Sequence, residues 1–546
     1  MKTGIKRLYL CLLTVFTLVY LVWRIGWTLP LDHRPVDIVF SLILLFTELI
    51  GVWEMSVHYM LEGRKKPSPP LPELNKDKLP DVDVLIPTCG EPVELVKQTL
   101  SGCLNMEYDG GVHIYLCDDA DRSEMKKLAK ELDVGYISRK ERIYAKAGNL
   151  NNALDLTNSP LIAVFDADMC PEPQFLTNTV PYFMEKSGKH KRQKLSEKIG
   201  FVQTPQNFRN EDLFQRAYRA GNIIPNEQDY FYLELEPARN SCNAVIFGGS
   251  NTLLSRKALN DAGGFITDTL TEDFATGIEI QKHGYRCIAV DTPLAYGLSP
   301  ENLTDMIRQR NRWARGCIQA GRKTHLLFTP NLTVSQRMSY LAAISYWYAP
   351  LKRLIYLLAP LMYSIFGITV MNCDFIQMLM FWLPMYFLAA AGIRFFSGGI
   401  RSAWWSDIYE LCLFPFLLPG VLAESIGIRK KQFIVTDKSG RRSWKLWYTL
   451  PFLVLTVMSA LGIVNTVNRI IDEKTTIYLF LLFWLIINLY ELLYAFLFVL
   501  SCRKLPPQTE QKFRLRRLSE KTGLRMSLLY IFIRIFSKQS KKEDTI

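Results

Sequence analysis

No two of the 11 cysteines form a C-x-x-C pair, and several sit inside apolar stretches, so neither a zinc site nor a disulfide framework organises this chain. A reducing compartment for its polar part is the simplest expectation. The sequence has no internal repeat and no long low-complexity segment, which excludes solenoid and fibrous designs. Its start, MKTGIKRLYL, has a basic flank, but the apolar run behind it is too long for a signal-peptide core and has no small-residue cleavage site. The run reads as a retained membrane helix.

What is present is length and apolar content. A chain of 546 residues with 49% hydrophobic and 12% aromatic residues exceeds one compact domain and calls for a membrane part. The net charge of +13 gathers in runs at 64–66, 429–431, 441–442 and after Cys502. In a soluble chain such charge would suggest nucleic acid, but beside apolar helices it marks the cytoplasmic face, so no nucleic-acid partner is expected.

Residues 8–27 and 38–60 are each long enough to cross the roughly 30 Å hydrocarbon layer. They give two N-terminal spans within 1–62, followed by a Pro-rich linker at 63–80. From 81 to 330 the chain is of mixed polarity. There the β-rich runs VDVLIP, VHIYLC and LIAVFD alternate with helical patterns such as SEMKKLAKEL, which predicts a parallel α/β sheet covered on both faces. Ligands of such sheets gather beyond the carboxyl ends of the strands.

Further spans are expected near 351–371 and 376–395 within 331–428, and near 447–468 and 477–500 within 447–502. The segment 401–428 suits an interfacial helix at least as well as a span. A loop at 429–446 and a basic tail at 503–546 complete the chain. Six spans put both termini, the central domain and the basic loops on one side, which is then the cytosol.

Three acidic clusters stand out: Asp118 and Asp119 in CDDA, Asp166 and Asp168 in FDADM, and Glu272 and Asp273 in LTEDFATG. Taken singly, an Asp pair after a strand is a turn or a helix cap. Together they suit a nucleotide-sugar donor, whose diphosphate charge a divalent cation neutralises when held by carboxylates at i and i+2. An acceptor hydroxyl also needs a general base, for which Asp273 is the candidate with Glu272 beside it. In QRNRW, a guanidinium and an amide suit a leaving diphosphate, and Trp313 offers a flat face for a pyranose ring. The bland alternative makes Arg308, Arg310, Arg312 and Arg315 a solvated or lipid-facing basic surface.

DVLIPTCGEP, CDDA, AKAGNLNNAL, FDADM, FGGSN, LTEDFATG and QRNRW stand in the order found in processive family-2 glycosyltransferases, and the set resembles bacterial cellulose synthase catalytic subunits. The resemblance covers roughly 80–320 and, with the membrane pattern, most of the chain. It implies an α/β GT-A, Rossmann-like cytosolic domain inserted in an all-α transmembrane bundle, acting on a UDP-sugar with Mg2+ or Mn2+ and inversion at the anomeric carbon. Thr88, Glu91, Asp118 and Asp119 would bind the nucleotide, and Lys146, Gln309 and Arg312 would engage the phosphates. Asp168 and Asp166 would hold metal and diphosphate, and Asp273 would be the base. Trp313, Phe247 and Gly248 would meet the acceptor. QFIVTDKSG resembles the family's gating loop, with Phe433, Val435, Thr436 and Lys438 in its F-x-V-T-x-K positions.

Two departures leave the product open. Cys89 stands where an aromatic residue is usual, and Gly248 stands where the family has cysteine, so β-1,4-, β-1,3- and mixed β-1,3/1,4-glucan all remain. The stretch after the last span is too short for a PilZ barrel, so control by cyclic di-GMP is not expected. The implied partners are UDP-glucose, the growing polysaccharide, the plasma-membrane bilayer and an accessory export subunit. A hyaluronan- or chitin-type synthase using UDP-N-acetylhexosamine would share the acidic motifs, and the F-x-V-T-x-K loop tips the balance to glucan. A transporter with a nucleotide-binding domain would explain the spans but not Asp273 or QRNRW. A neutral polymer needs aromatic and hydroxyl-bonding groups along its path, and Trp347, Tyr348, Tyr356, Trp382 and Tyr386 are candidates beside their ordinary role in interfacial belts.

Overall fold

The computed structural model describes residues 3–65, 68–73, 79–187, 192–195, 198–221, 224–397, 399–428, 444–474 and 478–505. The gating-loop residues Phe433, Val435, Thr436 and Lys438 and the tail beyond residue 505 lie outside the described residues.

The central domain is built on a seven-stranded sheet in the order 286–289, 199–203, 252–255, 161–164, 82–88, 112–118, 135–137. All seven residues of Val82–Thr88 are buried, as expected of a strand covered on both faces. It runs parallel to Val112–Asp118 and Leu161–Val164. The purely parallel sheet expected from the sequence is not what forms. Thr252–Ser255 runs antiparallel to both its neighbours, so the sheet is mixed. The reason is connectivity, since the strand is entered from the long excursion after Gln203 rather than from a crossover helix. Separate apolar clusters cover the two faces, one around Val84, Ile86 and Phe165 and the other around Leu85, Val164 and Phe247. The carboxyl ends of 82–88, 112–118 and 161–164 therefore open on one side, and the acidic motifs follow them.

Among the described residues six helices are long and apolar enough to cross a membrane: Gly4–Trp27, Pro35–Arg64, Phe375–Phe396, Ala403–Ser425, Leu446–Glu473 and Leu479–Cys502. Five coincide with expected spans. The segment expected near 351–371 forms Ala349–Phe366, which carries Lys352 and Arg353 near its start and is not among the six. Ala403–Ser425 takes its place in the set. Arg353 lies 2.7 Å from Asp407 and 3.6 Å from Glu410 on that helix, and 3.6 Å from Glu491 on Leu479–Cys502. Charges that look foreign to apolar runs in the sequence are thus paired between helices.

Leu303–Lys323, which carries QRNRW, joins the two parts. Asn311 Nδ2 donates to the Phe416 carbonyl at 3.0 Å, and Arg315 and Gln319 reach Glu424 at 3.3 and 3.0 Å. A Cβ on Gly420 would fall 2.4 Å from Asn311 Oδ1, so glycine there lets the two helices close.

Candidate active site

The end of Val82–Thr88 builds the first wall. The Glu91 carboxylate accepts from the Thr88 hydroxyl at 2.7 Å and from the Cys89 and Gly90 N–H groups at 2.8 and 3.1 Å. Burial alone would raise its pKa, but these donors outweigh it and hold the group below its ordinary value. Asp118 is buried and held by Arg122, which also donates to the Thr88 hydroxyl at 2.9 Å. Asp119 receives Arg139 through two nitrogens, at 2.5 and 3.0 Å. The pair of aspartates is thus divided: Asp118 ties the loop together, while Asp119 lines the cavity.

The second wall follows Leu161–Val164. The chain turns at once, with the Met169 N–H on the Asp166 carbonyl at 2.9 Å and the Asp166 N–H on the Ser250 hydroxyl at 2.8 Å. Asp166 and Asp168 both border the cavity. Lys146, in the first turn of Ala145–Leu156, donates to Asp166 Oδ1 at 2.5 Å and to the Gly249 carbonyl at 2.7 Å. Burial opposes its charge, yet Asp166, Glu272 and Asp273 raise its pKa. It stays protonated.

Glu272 and Asp273 open the helix Glu272–Lys282, where free N–H groups favour carboxylates. Asp273 Oδ1 accepts from the Phe274 N–H at 2.8 Å. Gly249 has φ +79°, and a Cβ there would lie 2.4 Å from Asp273 Oδ2, so only glycine allows this approach. Burial pushes Glu272 up to about 7, helped by Asp273 and opposed by Lys146 and Arg312. Burial also raises Asp273 against the pull of Lys146.

The QRNRW helix closes the site. Gln309, Arg310, Arg312 and Trp313 all border the cavity. Gln309 Oε1 is buried without a hydrogen-bond partner among the described residues. The Arg310 guanidinium lies 4.3 Å from the centre of the Trp313 ring and donates to Glu227 Oε2 at 2.7 Å. The solvated basic surface is therefore not what forms at Arg310. It does hold for Arg308, whose side chain is 54% exposed beside Asp305. The Gly248 N–H donates to Gln203 Oε1 at 2.8 Å and its carbonyl accepts from Gln206 at 2.9 Å. Phe247 borders the cavity, but its ring is buried against Phe201 and Phe265.

These residues share one cavity of about 780 Å³ that continues into the helices past Glu54, His58, Tyr346, Lys352, Arg401 and Glu410. Of the aromatics proposed along a polymer path, only Trp347 lines it. Tyr230, Tyr232, Tyr346, Trp405 and Tyr409 line it instead. Trp382 and Tyr386 stack on each other with centroids 4.7 Å apart. Sequence reasoning missed Arg122, Arg139, Glu227 and Tyr232. Their partners lie far along the chain or across a loop, and spacing carries no signal for such pairs. The one available clue was an unmatched Asp pair, which requires a cation from somewhere.

Among the described residues no group of three His, Cys, Asp or Glu side chains could hold a metal by itself. Two carboxylates at the edge of a cavity fit Mg2+ or Mn2+ when substrate phosphate and water supply the remaining oxygens.

Residues 161–394 match the family model described as Glycosyl transferase family group 2. The chain is 32% identical over 475 residues to cellulose synthase 2 of Novacetimonas hansenii, covering 86% of this chain and 29% of that protein. It is 31% identical over 463 residues to the cellulose synthase 1 catalytic subunit [UDP-forming] of Komagataeibacter xylinus, covering 84% and 61%. This chain thus spans less than two thirds of either relative. Among solved structures, a mannosyltransferase from Pyrobaculum calidifontis in complex with GDP-Man and Mn2+ aligns over 72% of this chain and 100% of that one, at 16% identity and a TM-score of 0.48.

Proposed function

Since this chain carries a family 2 glycosyltransferase domain and is a homologue of bacterial cellulose synthase catalytic subunits, we propose that it is a processive, inverting β-glucan synthase. It transfers glucose from UDP-glucose to the non-reducing end of the polymer and passes the product across the plasma membrane, with the catalytic domain in the cytosol. The observation that carries the reading is the single cavity. Its one end holds the acidic motifs and Trp313, and its other end runs between the helices.

In this reading the nucleotide lies against Thr88, Glu91 and Asp119, and its diphosphate faces Lys146, Gln309 and Arg312. Gln309 Oε1, buried and without a partner among the described residues, is an acceptor for a ligand hydroxyl or N–H. Asp166 and Asp168 would hold the divalent cation, which when bound neutralises charge on the diphosphate. Trp313 stacks the terminal sugar. The acceptor hydroxyl gives its proton to an Asp273 carboxylate oxygen as its own oxygen bonds to the anomeric carbon. The bond from that carbon to the phosphate oxygen breaks on the opposite side, and UDP leaves with the electron pair. A carboxyl raised by burial has a basicity better matched to near-neutral working pH. Lys146 and Arg312 oppose that rise and lie beside the charge that develops on the leaving group.

The test is incorporation of radiolabelled UDP-glucose, beside UDP-N-acetylglucosamine, into ethanol-insoluble product by the purified protein with Mg2+ or Mn2+. Digestion with linkage-specific glucanases then identifies the polymer. Glucose polymer supports the proposal and fixes the linkage. Incorporation from the amino-sugar donor alone would move the protein to the chitin or hyaluronan type.

A further inference from the structure

Arg310 is the second residue of QRNRW, and its helical spacing from Trp313 puts both on one face of Leu303–Lys323. It is 5% exposed. Its guanidinium centre lies 4.3 Å from the centre of the Trp313 ring, one Nη nitrogen donates to Glu227 Oε2 at 2.7 Å, and Nε is buried with no hydrogen-bond partner among the described residues. Trp347 meets Trp313 edge-on, with planes at 69° and centroids 6.5 Å apart. The indole is therefore backed by a cation on one face and braced by a second ring where it borders the cavity.

We infer that Arg310, anchored by Glu227, is a positioning residue for the acceptor sugar. It sets the tilt of the Trp313 platform by backing the ring from one face. The inference rests on the proposed role of Trp313 in acceptor binding. A planar guanidinium suits this task, because it can stack on an aromatic face while its fork of N–H groups holds a carboxylate at the edge. A lysine ammonium keeps the charge beside Glu227 but does not stack. Glu227 is itself held in place: its backbone N–H donates to Asp212 Oδ2 at 2.9 Å, and Asp212 caps the helix Leu213–Ala217.

The experiment uses the full-length protein with UDP-glucose and Mg2+ and compares wild type, R310K and R310A, the last with and without added methylguanidinium. Three quantities are read: the polymerisation rate, the free glucose released per glucose transferred, and the affinity for UDP. A misplaced acceptor leaves donor binding intact while water competes for the activated sugar. Polymerisation should fall about tenfold or more in both variants, UDP affinity should stay within about twofold, and the hydrolysis ratio should rise. Methylguanidinium should restore part of the rate to R310A. Polymerisation by R310K equal to wild type would overturn the inference while leaving the synthase reading intact. A parallel loss of UDP affinity would assign Arg310 to the donor site or to folding instead. If wild type itself makes no polymer from UDP-glucose, the synthase reading falls, and this inference falls with it.

Discussion

The two ends of the cavity use the same residue types in opposite ways. At the sheet end, Asp166, Glu272 and Asp273 crowd toward Lys146, and burial raises Glu272 and Asp273. In the helical bundle charges meet partners on other helices: Lys352 and Glu54, Arg24 and Glu48, and Arg353 with Asp407, Glu410 and Glu491. Crowded carboxylates at one end suit chemistry that must receive a cation. At the other end each of these cations is fixed by carboxylates of other helices, so charge there serves the packing of the bundle.

The sharpest way to break this contrast is to neutralise the proposed base. Asp273→Asn should lower polymer formation by about a thousandfold or more, because proton transfer is removed, while UDP affinity changes little. Retained synthesis would refute the assignment. Removing the platform should cost less: Trp313→Ala is expected to slow elongation by roughly ten- to a hundredfold through lost stacking and placement, with UDP binding spared. An equal drop in both would make Trp313 a packing residue.

In the bundle the same kind of change should act on folding rather than on chemistry. Arg353→Met strands three carboxylates and should cost on the order of 3 kcal/mol, read as a lower melting temperature in detergent. If melting is unchanged and turnover collapses, the two ends are not distinct.

The smallest effect concerns Glu272. Its folded pKa lies near 7, above its ordinary 4.5, so it contributes stability that is full below 4.5 and lost as pH rises through 7. Glu272→Gln should therefore melt higher relative to wild type at pH 8 than at pH 5, by about a few degrees. A constant difference across that range would mean the group is not raised.

Much of the catalytic end was legible in the chain because its motifs are local. Asp166 and Asp168 directly follow an apolar strand, Glu272 and Asp273 open a helix, and QRNRW lies on one helix, so short-range spacing already determines what each group can face. The strands at 82–88, 112–118 and 161–164 were legible for the same reason, being continuous β-rich runs bounded by polar residues. The antiparallel placement of Thr252–Ser255 was not, since four residues carry no information on direction. Nor was the exchange of Ala349–Phe366 for Ala403–Ser425 among the helices long and apolar enough to span, because Lys352 and Arg353 find partners only after distant helices pack.

The sequence alone thus determined that an acidic, family 2 glycosyltransferase domain lies between apolar helices, because composition, periodicity and motif order are properties of neighbours in the chain. Only the tertiary structure decided which charges are answered. Arg139 reaches Asp119, Glu227 anchors Arg310, Gly249 makes room for Asp273, and aromatics other than most of those expected line the inner cavity. Each of these depends on which surfaces close on one another once apolar area is buried, and that choice is made by the whole fold rather than by any local run of residues.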